Sequence, residues 1–134
     1  MKILVGYNGT IIAKIALEQA VTFAKIFKAS ILVVTSTTGG SGETSKQLDK
    51  SRTGLDFAKK YLEKKDVAGE LHELARGLSP GEDIVKFAKD NEVDQIFVGI
   101  EKRSKTRKLF MGSTAQYVIL KAHCPVITVN SNFM

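Results

Sequence analysis

Four short runs of aliphatic and β-branched residues recur along the chain, and the chain between them leaves few folds open. The runs are Ile3-Leu4-Val5-Gly6, Ile31-Leu32-Val33-Val34-Thr35, Ile96-Phe97-Val98-Gly99 and Val126-Ile127-Thr128-Val129. A run that is apolar throughout, instead of at every second place, suits a strand covered on both faces. Consecutive runs are separated by segments long enough for the crossover that parallel pairing requires. After the first run, Ile11, Ile12, Ile15, Ala16, Ala20, Phe23, Ala24 and Phe27 recur at helical spacing, and Thr10 is placed to cap that helix. Residues 36–46 are rich in Gly, Ser and Thr and read as a flexible loop. Leu48, Leu55, Ala58 and Leu62 mark a second helix, with Lys59, Lys60, Lys64 and Lys65 near the end where its dipole favours cations.

A weaker strand is predicted over residues 70–75, Glu-Leu-His-Glu-Leu-Ala. Ser79-Pro80-Gly81-Glu82 then supplies a cap, a first-turn proline and an early acid for a third helix, whose apolar face is Ile84, Phe87 and Ala88. The fourth strand is predicted over 94–99, a fourth helix from about Ser113 to Ala122, and the last strand over 125–129. The order β-α-β-α-β-α-β-α-β, with right-handed crossovers, predicts an α/β fold: an open five-stranded parallel sheet with helices on both faces. Residues 1–134 read as one domain of ordinary size.

Composition narrows the class further. No apolar run approaches the eighteen or so residues of a membrane span, and the opening MKILVGYNGT is too quickly polar for a secretory signal. With a single cysteine, Cys124, there is no internal disulfide and no zinc-type cluster. The expected setting is cytoplasmic. The net charge is +6, and residues 101–108 carry +4 of it through Lys102, Arg103, Lys105, Arg107 and Lys108 against Glu101. So local an excess favours a small anionic partner over a wide nucleic-acid track. Residues 100–109 also contain no aromatic side chain on which bases could stack, so nucleic acid is an unlikely partner.

Open parallel sheets bind ligands beyond the carboxyl ends of their strands, where the strand order reverses. The candidate loops are Tyr7-Asn8-Gly9-Thr10 and Gly99 through Thr114. None of the 11 glycines precedes a lysine, which excludes the P-loop, and there is no G-x-G-x-x-G. Gly112-Ser113-Thr114 opens a helix, where unpaired N–H groups and the dipole favour an anion. Two alternatives stand beside this: Ser113 as a plain cap, and the basic segment as a solvated surface. His72 and His123 have no carboxylate or cysteine partner at metal-ligand spacing, Cys124 has no activator and reads as a small buried residue, Asp94 reads as a local cap or pair, and Glu82 and Asp83 suit a helix start.

The chain resembles the single-domain universal stress proteins. The resemblance rests on VGYNGT at the first turn, VDQIFVG at strand four and MGSTAQYVILKAHCPVITV near the end. The family's nucleotide motif runs Gly, two residues, Gly, nine residues, Gly, then Ser or Thr. Gly99, Gly112 and Ser113 fall at its first, third and fourth marks, while Lys102 replaces the second glycine. Arg103-Ser104 with Lys108 is similar to a basic pattern found in some members. The resemblance implies a Rossmann-like, adenine nucleotide alpha hydrolase-like fold. It also implies a pocket for ATP, ADP or AMP, with or without Mg2+. Gly6 and Tyr7 would line the adenosine side, Thr35 or Ser36 would meet the base, and Lys102, Arg103, Lys108, Gly112, Ser113 and Thr114 would surround the phosphates. Asn8 stands where the family usually has Asp; it keeps an acceptor oxygen and loses the charge.

In this family the last strand commonly pairs two subunits, so a homodimer through Pro125, Val126, Ile127, Thr128 and Val129 is expected, with Val126, Ile127 and Val129 forming an exposed apolar edge. The leading function is a nucleotide-binding regulatory or stress-response protein with at most slow ATP hydrolysis, because no general base is evident in the loop. The alternative is a dimeric interaction protein that has lost the nucleotide site through Lys102 and Asn8. Adenylyl-transfer chemistry is a third reading, which 134 residues leave little room to support.

Overall fold

A computed structural model of the protein describes residues 1–37, 45–100, 112–130 and 132. Its elements are β1 (Lys2–Gly6), α1 (Ile11–Phe27), β2 (Ser30–Ser36), α2 (Ser45–Lys64), β3 (Gly69–Leu74), α3 (Pro80–Asp90), β4 (Gln95–Ile100), α4 (Ser113–Lys121) and β5 (Val126–Asn130). The five strands form one sheet in the order β3-β2-β1-β4-β5, and every pairing is parallel. The chain starts in the middle, winds outward to β3, returns across β1 and winds outward again to β5. The order therefore reverses between β1 and β4.

Strand alternation sorts the core into two layers. Ile3, Val5, Ile31, Val33 and Phe97 face one side with Leu17, Ala20, Ala24, Ala58 and Leu62 of α1 and α2. Leu4, Leu32, Val34, Ile96 and Val98 face the other with Ile84, Phe87, Ala88, Ala115 and Val118 of α3 and α4. Consecutive residues of one strand thus serve opposite layers, which is why the runs are apolar throughout. Each fully buried side chain of this size contributes about 2 kcal/mol through burial alone.

Local chemistry sets the helix ends, with two departures from expectation. Thr10 caps α1 as its position predicts, its Oγ1 accepting from the Ala13 N–H at 3.3 Å. At α4 the helix starts at Ser113 as predicted, and the cap is Gly112, not Ser113 as the plain-cap alternative had it. At α3, Ser79 occupies the cap, yet its hydroxyl donates to Glu82 Oε1 at 2.7 Å and binds no backbone N–H.

The last strand also differs from expectation. β5 is an edge strand, but its apolar side chains are not bare. Val129 is buried against Ile12 and Ala16, and Ile127 and Val126 are half-buried against opposite layers. Among the described residues, no strand pairs with the outer line of β5 backbone groups. Seven residues of the expected 36–46 loop, 38–44, lie outside the described residues.

Candidate functional site

A cleft opens at the carboxyl ends of β1 and β4, where the strand order reverses. Gly6, Tyr7 and Asn8 line it from β1 and the following turn, Val34 and Ser36 from β2, and Val98 and Gly99 from β4. Ile12 and Ala13 enter from α1, Pro80 and Ile84 from α3, and Gly112, Ser113, Thr114 and Ala115 from the start of α4. Parallel pairing brings these segments together although some are more than a hundred residues apart.

The turn after β1 is shaped by its own side chains. Asn8 Oδ1 accepts from the Thr10 N–H at 3.2 Å and from Thr10 Oγ1 at 2.7 Å. Gly9 takes a φ of 80° between them, a conformation glycine adopts without steric cost. The acceptor oxygen that Asn8 retains is therefore spent on turning the chain into α1. Tyr7 is buried, and burial pushes its phenol pKa up. Its hydroxyl is the one buried side-chain polar atom without a hydrogen-bond partner among the described residues.

Gly99 has a packing reason for being glycine. A Cβ there would stand 3.0 Å from Ile12 Cγ2 and 3.2 Å from the Ile12 carbonyl carbon, so α1 could not lie this close to β4. Gly112 is different: a Cβ would meet nothing within 4 Å. It begins α4 with its carbonyl accepting from the Gln116 N–H at 3.1 Å. The N–H groups of Ser113, Thr114 and Ala115 precede that first helical bond and sit on the cleft, at the positive end of the helix dipole.

Of the residues expected to bind nucleotide, Gly6, Tyr7, Asn8, Ser36, Gly99, Gly112, Ser113 and Thr114 line this one cleft. Thr35 does not. Strand alternation turns it inward, and its hydroxyl donates to the Tyr7 carbonyl at 2.8 Å. Lys102, Arg103 and Lys108 lie outside the described residues.

The sequence reading missed a charged cluster behind the cleft. Asp83 is fully buried. Its Oδ1 accepts from Arg76 Nε at 2.6 Å and is also paired with Arg76 Nη2, while its Oδ2 accepts from Ser36 Oγ at 2.8 Å. Arg76 reaches further to the Asp83 carbonyl at 3.4 Å. A signal was present in the chain: Asp83 lies four residues before Phe87 and beside Ile84, on the helix face otherwise given to the core.

Other candidates play structural parts. Asp94 does not pair locally; its Oδ2 accepts from the Lys2 N–H at 2.8 Å, across 92 residues, and its own N–H donates to the Lys2 carbonyl. Cys124 is half-buried, not buried, and burial and Asp94 push its thiol pKa up, away from a reactive thiolate. His72 Nε2 lies 3.0 Å from Glu70 Oε2, and His123 Nε2 lies 3.0 Å from the Val93 carbonyl. Among the described residues no three His, Cys, Asp or Glu side chains gather as a metal site would need, and no helix is long and apolar enough to cross a membrane.

A doubly wound parallel sheet with its cleft at the switch point places the molecule among α/β proteins that hold small ligands at strand ends. The chain belongs to the universal stress protein family, whose model matches residues 1–130. A universal stress protein of Methanocaldococcus jannaschii is 30% identical, over 96% of this chain and 81% of its own. The structure of a universal stress protein from Archaeoglobus fulgidus is similar with a TM-score of 0.83 and 33% identity, covering 96% of this chain and 92% of that one. The universal stress protein from Archaeoglobus fulgidus in complex with dAMP has a TM-score of 0.80 and 32% identity, with 96% of each chain covered.

Proposed function

We propose that this protein binds an adenine nucleotide, AMP, ADP or ATP, in the cleft between β1 and β4 and acts as a regulatory or stress-response protein. One observation carries the reading: the apolar walls of the cleft end at the first turn of α4, where Ser113, Thr114 and Ala115 have backbone N–H groups that precede the first helical bond and Ser113 and Thr114 add two hydroxyls, a setting that suits an anion. The complex of the Archaeoglobus fulgidus relative with dAMP supports it. In this reading Lys102, Arg103 and Lys108 add positive charge around the phosphates, and Mg2+ accompanies a di- or triphosphate. Hydrolysis is at most slow, since the described lining contains no carboxylate or histidine to serve as general base. The protein works as one domain in the cytoplasm and pairs with a second copy along β5, through residues 125–129, whose outer backbone groups are those of an edge strand.

Calorimetric titration of the native protein with ATP and Mg2+ tests binding, together with mass spectrometry of small molecules released on denaturation. A co-purifying adenine nucleotide is expected. No heat and no nucleotide would sink the reading. Replacing Lys102 with Gly is expected to leave affinity unchanged or lower it; creation of binding by that change would favour a protein that had lost its site. Light scattering is expected to give a dimer at micromolar concentration, and a monomer would remove the pairing.

A further inference from the structure

We propose that Gly54, on a helix that gives the cleft none of its described lining, is a positioning residue for the nucleotide: it sets where the turn after β1 stands. The inference rests on the nucleotide reading and extends it to a residue outside the cleft. Gly54 lies in the middle of α2 and is buried. Glycine inside a helix costs about 1 kcal/mol relative to alanine, so its presence here calls for a reason. A Cβ at Gly54 would stand 3.2 Å from Gly9 Cα, 3.3 Å from Tyr7 Cε1 and 3.8 Å from Gly9 N. Two glycines remote in the chain thus meet backbone to backbone, and α2 rests directly on the turn.

The turn has little freedom to absorb a push. On the β1 side, the Tyr7 N–H donates to the Val34 carbonyl at 2.9 Å, and the Tyr7 carbonyl accepts from Thr35 Oγ1 at 2.8 Å. On the α1 side, Thr10 Oγ1 accepts from the Ala13 N–H at 3.3 Å and the Thr10 carbonyl from the Lys14 N–H at 3.0 Å. The helix is held as well, because Ala58 and Leu62, further along α2, are buried in the core. What can yield is Asn8-Gly9, and Asn8 lines the cleft. A methyl group added to Gly54 is therefore felt in the cleft as a displaced Asn8. With the phosphate at the start of α4, the nucleoside lies along the remaining lining, of which Gly6, Tyr7 and Asn8 form part.

The test is calorimetric titration of the whole protein with AMP, for the wild type, Gly54→Ala and Gly69→Ala. Gly69→Ala is the control: its Cβ would stand 2.6 Å from Leu62 Cδ1, crowding the same helix about 12 Å along from Gly54. Gly54→Ala is expected to bind AMP about fivefold more weakly, the scale of one lost hydrogen bond, and Gly69→Ala to bind it as the wild type does. A merely structural role would act through the stability of α2, and both variants would then lose affinity in step with their unfolding midpoints. That outcome, or full affinity in Gly54→Ala, overturns the proposal and leaves nucleotide binding standing. A wild type that binds no AMP overturns both readings. Should Gly54→Ala fail to fold by circular dichroism, hydrogen exchange of the wild type decides. Coupling between sites is reciprocal, so AMP is expected to slow exchange of the α2 amides near Gly54. Unchanged exchange there overturns the proposal.

Discussion

The two ends of the sheet belong to the same five strands and are finished in opposite ways. At the amino end, backbone groups close on one another: the Ser30 N–H meets the Met1 carbonyl, the Ile31 N–H the Ala68 carbonyl and the Ile96 N–H the Pro125 carbonyl, each at 3.0 Å. Asp94 adds a two-way clip to Lys2. At the carboxyl end the Tyr7 N–H meets the Val34 carbonyl and the Thr37 N–H the Leu74 carbonyl, each at 2.9 Å, while a cleft opens between β1 and β4. There the polar groups are side chains and helix-end N–H groups, and one of them stands on a buried ion pair. An end closed by its own backbone contributes stability. The other end keeps unspent polar groups and places them where a ligand can reach, so substitutions at the two ends should separate stability from binding.

The largest effect is expected for Asp83→Ala. It strands the Ser36 hydroxyl and removes the partner of Arg76, and loss of one member of a buried pair costs about 3 kcal/mol. Arg76 is 37% exposed and can turn to water, which sets the lower end of the range. Urea unfolding measures it; an unchanged midpoint would mean that the buried pair contributes nothing. Gly99→Ala comes next. Its Cβ would press on Ile12 and its backbone, and overpacking of this kind costs about 2 kcal/mol. Because Ile12 also lines the cleft, nucleotide affinity should fall with stability, and full affinity in a destabilised Gly99→Ala would break the link between α1 packing and the site.

Asp94→Ala is the control at the amino end. Loss of the Lys2 clip is expected to cost about 1 kcal/mol and to leave nucleotide affinity unchanged. A loss of affinity would erase the contrast between the ends. Tyr7→Phe is expected to do least at neutral pH, changing stability by under about 1 kcal/mol in either direction, because it removes a hydroxyl that has no partner among the described residues. At high pH the two proteins should diverge. Burial raises the folded-state pKa of Tyr7, so its contribution is intact below the ordinary tyrosine value near 10 and is lost as pH rises through the folded value. Tyr7→Phe should therefore lose less stability than the wild type above about pH 10. Parallel alkaline curves would show that the Tyr7 phenol is not what fails there.

Much of the fold was legible because its signals are local. Apolar runs, helical spacing, the Thr10 cap and the Pro80 start each depend on residues a few places apart. The strand order was not read directly, yet parallel crossovers pointed to a cleft beyond β1 and β4, and the spacing from Gly99 to Gly112-Ser113 marked the same place. The charged cluster escaped because Arg76 and Asp83 meet Ser36 only when α3 lies on the sheet. Early acids also stabilise an exposed helix start, so Asp83 carried an ordinary explanation.

By itself, then, the sequence determined an α/β chain with two glycine-marked loops and a helix start fit for an anion. Tertiary structure alone decided which neighbour faces which way. Thr35 and Ser36 are adjacent and both hydroxylic, yet one ties down the Tyr7 carbonyl inside the core and the other opens onto the cleft over Asp83. Val129 reads as an exposed edge residue until α1 covers it. The physical reason is the two-residue period of a strand: alternation states that neighbours point to opposite faces, and only the packed helices state what each face meets.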